Sequence, residues 1–257
     1  MAKGRNVTKP WYAEGGFFGP RYLEEYADIL TPEQTNAEVD FLEKILHLER
    51  GIKILDLACG HGRHTVELAR RGYAMTGQDI NAFFLKEAAK SAKRSGVQVR
   101  WVKSDMRRIP FVEEFDVLVN LYTAFGYLES DEEDQRVIHE VAKALRPAGT
   151  FVLDVINRER VIRRFREKDW KELADGSFAL YEGKFDFVSG RTYERRLRIW
   201  KDGKREEAPT VVRMYTLREL IGLCNAAGLR FKEAHGGYHG EAPGLDSPRC
   251  ILIAEKI

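Results

Sequence analysis

Residues 54–64 read I-L-D-L-A-C-G-H-G-R-H. An apolar run enclosing the carboxylate Asp56 breaks at two glycines, Gly60 and Gly62, and residues 65–72 continue in a helical pattern. A strand that breaks into glycines and then opens a helix is a ready site for a nucleotide-like ligand, because glycine lets the backbone come close to it. Two more carboxylates follow at similar breaks. Asp79 ends a second apolar run in G-Q-D-I-N, and Asp105 follows a third in K-S-D-M-R. A carboxylate after the second strand can accept hydrogen bonds from two neighbouring hydroxyls, and one after the third can accept from an exocyclic amine.

Three ligands compete for such a loop. A phosphate-cradling P-loop needs G-x-x-x-x-G-K-[ST], and no such run occurs. The dinucleotide fingerprint G-x-G-x-x-G is met at Gly60 and Gly62, but Thr65 stands at its third glycine. S-adenosylmethionine has no pyrophosphate and needs backbone room for its amino-acid tail and an acid for its ribose. Asp56 just before the loop would repel a pyrophosphate but suits an ammonium. Asp105 is placed for the adenine amine.

The elements that must hold these groups alternate. Strands are expected at 53–57, 74–79, 97–103, 115–121 and 150–155, and helices at 64–71, 82–95 and 131–145. That rhythm implies βαβ units and a parallel sheet covered on both faces. Before it, Thr31-Pro32 reads as a helix N-cap and first position, and Val39, Leu42, Ile45 and Leu46 follow at helical spacing. Residues 158–171 read as a charged helix, and 178–200 and 210–215 alternate like antiparallel strands. A helix over 217–227, ended by Gly228, and strands at 229–234 and 250–255 close the chain. The antiparallel part reads as inserted between the fifth strand and its following helix. The expected units are a lid segment at 1–35, rich in aromatics such as Trp11 and Phe17, a ligand-binding core at 36–157, the insertion at 158–215, and a completion of the core sheet at 216–257.

Composition excludes several classes. The 257 residues carry a net charge of +2, so no global field recommends nucleic acid or an acidic membrane. No apolar run reaches the roughly 20 residues that span a bilayer, and the polar start has no signal-like apolar stretch, so a cytoplasmic protein is expected. Cys59, Cys224 and Cys250 are too scattered for a disulfide framework or a metal site, and no metal is expected. Six Asn and four Gln beside 32% charged residues hint at a thermophilic source.

The ordered series I-L-D-L-A-C-G-H-G-R-H, G-Q-D-I-N, S-D-M-R, F-D-V-L-V-N-L-Y-T-A-F-G-Y-L and L-R-P-A-G-T-F-V-L-D resembles the motifs of class I S-adenosylmethionine-dependent methyltransferases, above all the type 11/25 group. The resemblance is dense over residues 39–157. It implies an α/β, Rossmann-like seven-stranded sheet, mostly parallel with the last strand antiparallel, with helices on both faces and the inserted antiparallel region beside it. It implies S-adenosylmethionine as cofactor and S-adenosylhomocysteine as product. Gly60 and Gly62 would pass close to the methionine moiety, with Asp56, Ala58 and Arg63 near them. Asp79 and Ile80 would hold the ribose, and Asp105 and Met106 would frame the adenine. Asn120, Leu121 and Tyr122 would lie beside the sulfonium and methyl group. Plainer roles stand beside these: Asp56 as a hydrogen-bonding residue of the loop, Arg63 as a surface helix cap, His64 as structural, and Cys59 as a small buried hydrophobe.

Methyl transfer is an in-line displacement and needs a base only if the acceptor arrives protonated. The candidate catalytic residues are His239, in G-G-Y-H-G, and Tyr122; a surface histidine is the plain reading of the former. Tyr12, Phe18 and Tyr22 of the lid, Phe125, Arg213, Tyr215 and Tyr238 are the candidates for the acceptor. Arg213 could bind an acidic group, or make a structural salt bridge. No N-P-P-Y run follows the fourth strand and no Pro-Cys nucleophile occurs. The acceptor is therefore read as a small molecule, through nitrogen or oxygen rather than carbon. RNA methylation through the basic stretches 158–171 and 191–205 is the alternative, although solvated faces explain such charge runs too. An inactive cofactor-binding partner subunit is a third reading. The protein is expected as a monomer, or as a homodimer through the inserted sheet.

Overall fold

In the computed structural model, which describes residues 10–13 and 15–257, the aromatic N-terminal segment closes into a short helix, α1 (Pro20–Glu25). The remainder of the expected lid segment, residues 1–9 and 14, lies outside the described residues. Thr31 caps α2 (Pro32–Leu46): its hydroxyl accepts the Gln34 N–H at 3.2 Å, and Pro32 takes a first-turn position where no N–H is needed. The alternation then runs β1 (Lys53–Leu57), α3 (Arg63–Arg70), β2 (Ala74–Asp79), α4 (Ala82–Arg94), β3 (Arg100–Lys103), β4 (Phe115–Asn120), α5 (Asp131–Ala144) and β5 (Leu145–Ile156). Next come α6 (Arg158–Arg163), β6 (Lys168–Glu172), β7 (Phe178–Asp186), β8 (Arg191–Ile199) and β9 (Arg205–Arg213). The chain closes with α7 (Leu217–Ala226), β10 (Leu229–His235) and β11 (Arg249–Lys256).

Seven strands form one sheet in the order β3-β2-β1-β4-β5-β11-β10. All neighbours pair in parallel except β11, which runs antiparallel to both β5 and β10. Successive residues of β1 go to opposite faces. Leu55 and Leu57 join Leu118, Val137, Ile138 and Leu220 in one core layer, while Ile54 joins Val39, Leu42, Leu68 and Val152 in the other. The strand order reverses between β1 and β4, and the carboxyl ends of the strands there open the crevice in which such sheets hold ligands.

Two expected elements differ. The charged stretch 158–171 is not one helix: α6 stops after six residues, none of them buried, and the chain then pairs as β6 along β7. A run of charges without an apolar stripe has nothing to bury as a helix, whereas β6 satisfies its backbone along an open sheet edge. The third strand is also shorter than expected, Arg100–Lys103, because residues 97–99 do not join the ladder with β2.

Strands β6-β7-β8-β9 form a separate antiparallel sheet, and this sheet grips α1. Arg198, 2% exposed, bonds Glu24 at 2.7 Å and Asp175 at 2.8 Å. Arg21 Nη1 donates to the Glu206 carbonyl at 3.2 Å, and Lys171 Nζ to the Glu25 carbonyl at 3.0 Å. Arg196 donates to the Tyr26 hydroxyl at 2.8 Å and lies against the rings of Phe17 and Tyr181. Removing a buried arginine strands partners that are themselves half-exposed and can re-solvate, so the loss is moderate. Arg198→Ala is expected to lower stability by about 1–2 kcal/mol, and the melting temperature by roughly 3–6 °C, in scanning calorimetry. An unchanged melting temperature would show that α1 is held without the Arg198 pairs, by its remaining polar bonds and aromatic contacts.

Candidate active site

The turn after β1 is built on left-handed backbone. Ala58, Gly60 and Gly62 have φ of 56°, 55° and 77°. A Cβ on Gly60 would meet nothing within 4 Å, so this glycine leaves open space. A Cβ on Gly62 would lie 2.7 Å from Ala88 Cβ and 2.9 Å from the Trp101 ring. Gly62 therefore serves the contact of α3 with α4 and β3, and it is not among the residues that line the crevice.

The turn is tied to the next strand by one carboxylate. Asp79 Oδ2 accepts the Gly60 N–H at 2.8 Å, and Oδ1 accepts the Asn81 N–H at 2.7 Å. Asp56, 2% exposed, accepts the Thr65 hydroxyl at 2.5 Å. Neither acid has a cationic partner among the described residues. Burial first, then the charge of Asp79, pushes Asp56 up to about 7; burial likewise raises Asp79. Two desolvated acids at one wall favour a cation or hydroxyl donors and oppose a pyrophosphate. Asp105 differs. Burial opposes its charge, but Arg107, bonded at 2.6 Å and 3.0 Å, holds its carboxyl below the usual range.

Opposite these acids stands a basic group. Glu38 of α2 is fully buried and bonds both Arg63 and His64. Burial alone would raise the Glu38 carboxyl, but these partners hold it at about 2. Burial and the Arg63 charge lower His64, so it serves Glu38 as a neutral donor. Arg63 Nη1 is taken by Glu38 and Thr35, while Nη2 is buried without a partner. An orphaned guanidinium nitrogen at a crevice wall is a place for a carboxylate.

One crevice collects Asp56, Ala58, Gly60, Arg63, Asp79, Ile80, Asp105, Met106, Leu121 and Tyr122. Tyr12, Phe18 and Tyr22 of the N-terminal segment roof it. Other residues expected at the site are placed elsewhere. Asn120 bridges strands, its amide donating to the Leu57 carbonyl at 2.9 Å. Phe125 is core and packs on Tyr215, whose hydroxyl donates to Asp134 at 2.8 Å. Arg213 is consumed by Asp131 and Glu219. Tyr238 donates to Asp154. His239 is exposed, on a loop whose backbone bonds Glu241, and does not reach the crevice.

The wall also contains residues that were not expected there: His61, Asn81, Phe84 and Tyr127. Asn81 caps α4 and donates to the Phe18 carbonyl at 2.8 Å, tying the roof to the strand end. Tyr127 packs on Trp11 and Phe18 at 4.8 Å and 5.6 Å between centroids. Its signal was the glycine before it, Gly126 at φ 93°, which turns the chain back beneath the roof. His61 is held near 4 by burial and the Arg63 charge, so its imidazole is neutral at working pH.

Residues 54–149 match a family model described as a methyltransferase domain. This match, together with the relatives and solved structures it resembles, supports a class I S-adenosylmethionine-dependent methyltransferase. It is similar to a glycine/sarcosine N-methyltransferase of Halorhodospira halochloris, 25% identical over 91% of this chain and 90% of that one. It is also similar to a ubiquinone biosynthesis O-methyltransferase of Klebsiella pneumoniae, 33% identical over 42% of this chain and 44% of that one. The CcbJ methyltransferase of Streptomyces caelestis shares the fold with a TM-score of 0.77 at 19% identity, over 91% of this chain and 97% of that one. The cofactor of this methyltransferase is S-adenosylmethionine, and the donor set fits it: unpaired acids for an ammonium and a ribose, and an unpaired guanidinium nitrogen for a carboxylate. Among the described residues no His, Cys, Asp or Glu cluster could hold a metal, and no helix is long and apolar enough to cross a membrane.

Because Gly62 has positive φ and no room for a Cβ, Gly62→Ala is expected to lower the stability of this methyltransferase by about 2–3 kcal/mol. A shift under about 2 °C in thermal melting would contradict that packing role.

Proposed function

We propose that this methyltransferase transfers the methyl group to a nitrogen or oxygen of a small molecule held under the aromatic roof. The observation that carries the reading is that roof: Tyr12, Phe18, Tyr22 and Tyr127 close one crevice with the glycine turn on its floor. In this reading Asp79 accepts from the ribose hydroxyls, Asp105 and Met106 frame the adenine, Asp56 meets the ammonium and Arg63 Nη2 the carboxylate. Leu121 and Tyr122 flank the methyl.

Bound there, S-adenosylmethionine would supply an electrophilic methyl carbon on a cationic sulfur to the acceptor's lone pair. The chain's own part is to align and enclose the two reactants, which can supply several orders of magnitude in rate. Burial raises the phenols of Tyr22, Tyr122 and Tyr127, so they stay protonated as donors. The His61 imidazole on the same wall, held near 4, is too weak a base to take a proton from the acceptor.

The basic insert supports this reading against RNA. Arg163 and Arg164 pair with Asp246, Arg195 with Glu182 and Glu207, Arg196 with Glu194, and Arg198 with Glu24 and Asp175. Cations paired in this way within the chain release fewer counterions to a phosphate backbone than free ones. The names of the two enzyme relatives, glycine/sarcosine and ubiquinone biosynthesis, also point to small acceptors.

Methyl-labelled S-adenosylmethionine, incubated with a small-metabolite extract and separately with total RNA, tests the acceptor class. Label confined to the small-molecule fraction is expected; label in RNase-sensitive material would overturn the reading. A second prediction concerns pH. The Asp56 carboxyl, raised to about 7, binds a proton below that point and then no longer meets an ammonium. Affinity for S-adenosylmethionine should therefore fall as pH drops from 8 to 6. Asp56→Asn should bind about tenfold more weakly at pH 8, a loss of about 1.4 kcal/mol, and show a flat profile over that range. A wild-type affinity independent of pH in calorimetric titration would remove Asp56 from the ammonium.

A further inference from the structure

Directly after β4 two successive non-glycine residues adopt left-handed backbone: Tyr122 at φ 61° and Thr123 at φ 65°. This conformation is costly for an L-residue, and most of all for a β-branched threonine. It persists only where surrounding groups impose it. Here they are few and can be named. Asp154, fully buried near the end of β5, accepts the Tyr122 N–H on Oδ2 at 2.8 Å, and its carbonyl accepts the Thr123 N–H at 3.0 Å. The Thr123 hydroxyl accepts the Ile156 N–H and Arg249 Nη2, each at 2.9 Å. Arg249 Nε donates to Asp154 Oδ1 at 2.7 Å, and the Tyr238 hydroxyl donates to Oδ2 at 2.5 Å. The Tyr122 ring lies against two guanidiniums, Arg63 at 4.7 Å and Arg249 at 5.2 Å from its centroid. Of this group only Tyr122 and Arg63 line the crevice.

We propose that Asp154 is a positioning residue of the methyl-transfer site: with Arg249 and Tyr238 it holds the Tyr122–Thr123 turn in its left-handed form, and the turn in turn sets Tyr122 and its stacking on Arg63 at the methionine end of the crevice. The proposal rests on the reading that this crevice takes S-adenosylmethionine with its methionine moiety at Arg63 and Tyr122. A buried ion pair that merely joined β5 to β11 would need neither the two bonds to the strained N–H groups nor the contact of Arg249 with Thr123. Asp154 commits one carboxylate oxygen and its main-chain carbonyl to the turn, while Arg249 and Tyr238 hold the carboxylate in place, so the chain dispenses with glycine at two adjacent left-handed positions.

The test separates the two ends of the ligand. Adenosine reports on Asp79 and Asp105 alone, whereas S-adenosylmethionine also reports on the methionine end. In calorimetric titration Asp154→Asn is expected to leave adenosine affinity within about twofold and to weaken S-adenosylmethionine at least tenfold. Thr123→Gly, alone mildly harmful because it loses the hydroxyl, should improve the Asp154→Asn protein at least threefold, since glycine adopts the turn without being held there. Should Asp154→Asn fail to fold, Arg249→Lys, which keeps the charge and gives up the second contact to Thr123, is expected to show the same split at about threefold. Equal losses for both probes, or no rescue by Thr123→Gly, would reduce Asp154 to a structural ion pair and overturn the proposal. A wild-type protein that binds adenosine as tightly as S-adenosylmethionine would overturn the placement of the methionine end, and the proposal with it.

Discussion

The carboxyl edge of the large sheet hangs on a carboxylate without a cation. Asp79 takes the Gly60 N–H from the turn after β1 and the Asn81 N–H from the turn after β2, one on each oxygen. Those bonds draw the loops after β1 and β2 together beside the reversal point between β1 and β4. Through Asn81 the same clamp reaches the Phe18 carbonyl, so the roof over the crevice is registered to the strand ends. The cost is a desolvated charge, visible in the raised carboxyls of Asp79 and Asp56. A cationic, hydroxyl-bearing ligand relieves that cost and a phosphate increases it. The ligand class therefore follows from an electrostatic need of the turn itself, apart from any pattern of glycines.

A second constraint works from the opposite side. Glu38 of α2 engages both Arg63 and His64, the first two residues of α3. It commits one guanidinium nitrogen and leaves the other buried and unmet. An unmet donor of this kind destabilises the empty protein by an amount that a bound carboxylate returns. The crevice thus holds an acidic wall and one basic corner, both incomplete. The Tyr122 ring, stacked on Arg63, stands at the corner where the two meet.

How far this was legible in the sequence depends on the range of the interactions that decide each residue's place. Gly60, Asp79 and Asp105 sit at set offsets from strand ends, and in a parallel sheet the strand end alone determines which way the chain turns. Their places could be read from local pattern. Gly62 fits the same pattern but is placed by Trp101 and Ala88, far along the chain, and a G-x-G spacing holds no trace of them. Arg213, Tyr215 and His239 were singled out for their chemistry at the ends of elements. The first two meet the acidic first turn of α5, at Asp131 and Asp134, and the third faces solvent. The D-E-E-D run that opens α5 was a local signal for those pairings, because a helix start gathers acids and acids gather arginines. The charged run at 158–171 had no apolar period to read, and only the edge of β7 decides that its last four residues become a strand.

The roof explains why cofactor and acceptor residues differ so much in legibility. Its aromatic residues lie on a segment before α2 and on the loop after β4, yet the segment is held by arginines of β8, in the insertion. Three regions distant in the chain thus shape the roof, and no spacing rule connects them. The cofactor end draws on consecutive strand ends of one sheet. A change in the insert can therefore move α1 and reshape the roof while Asp79, Asp105 and the glycine turn keep their bonds. This division lets a single cofactor frame serve acceptors of different shape, since the chemistry asks of the roof only that it hold a lone pair in line with the methyl.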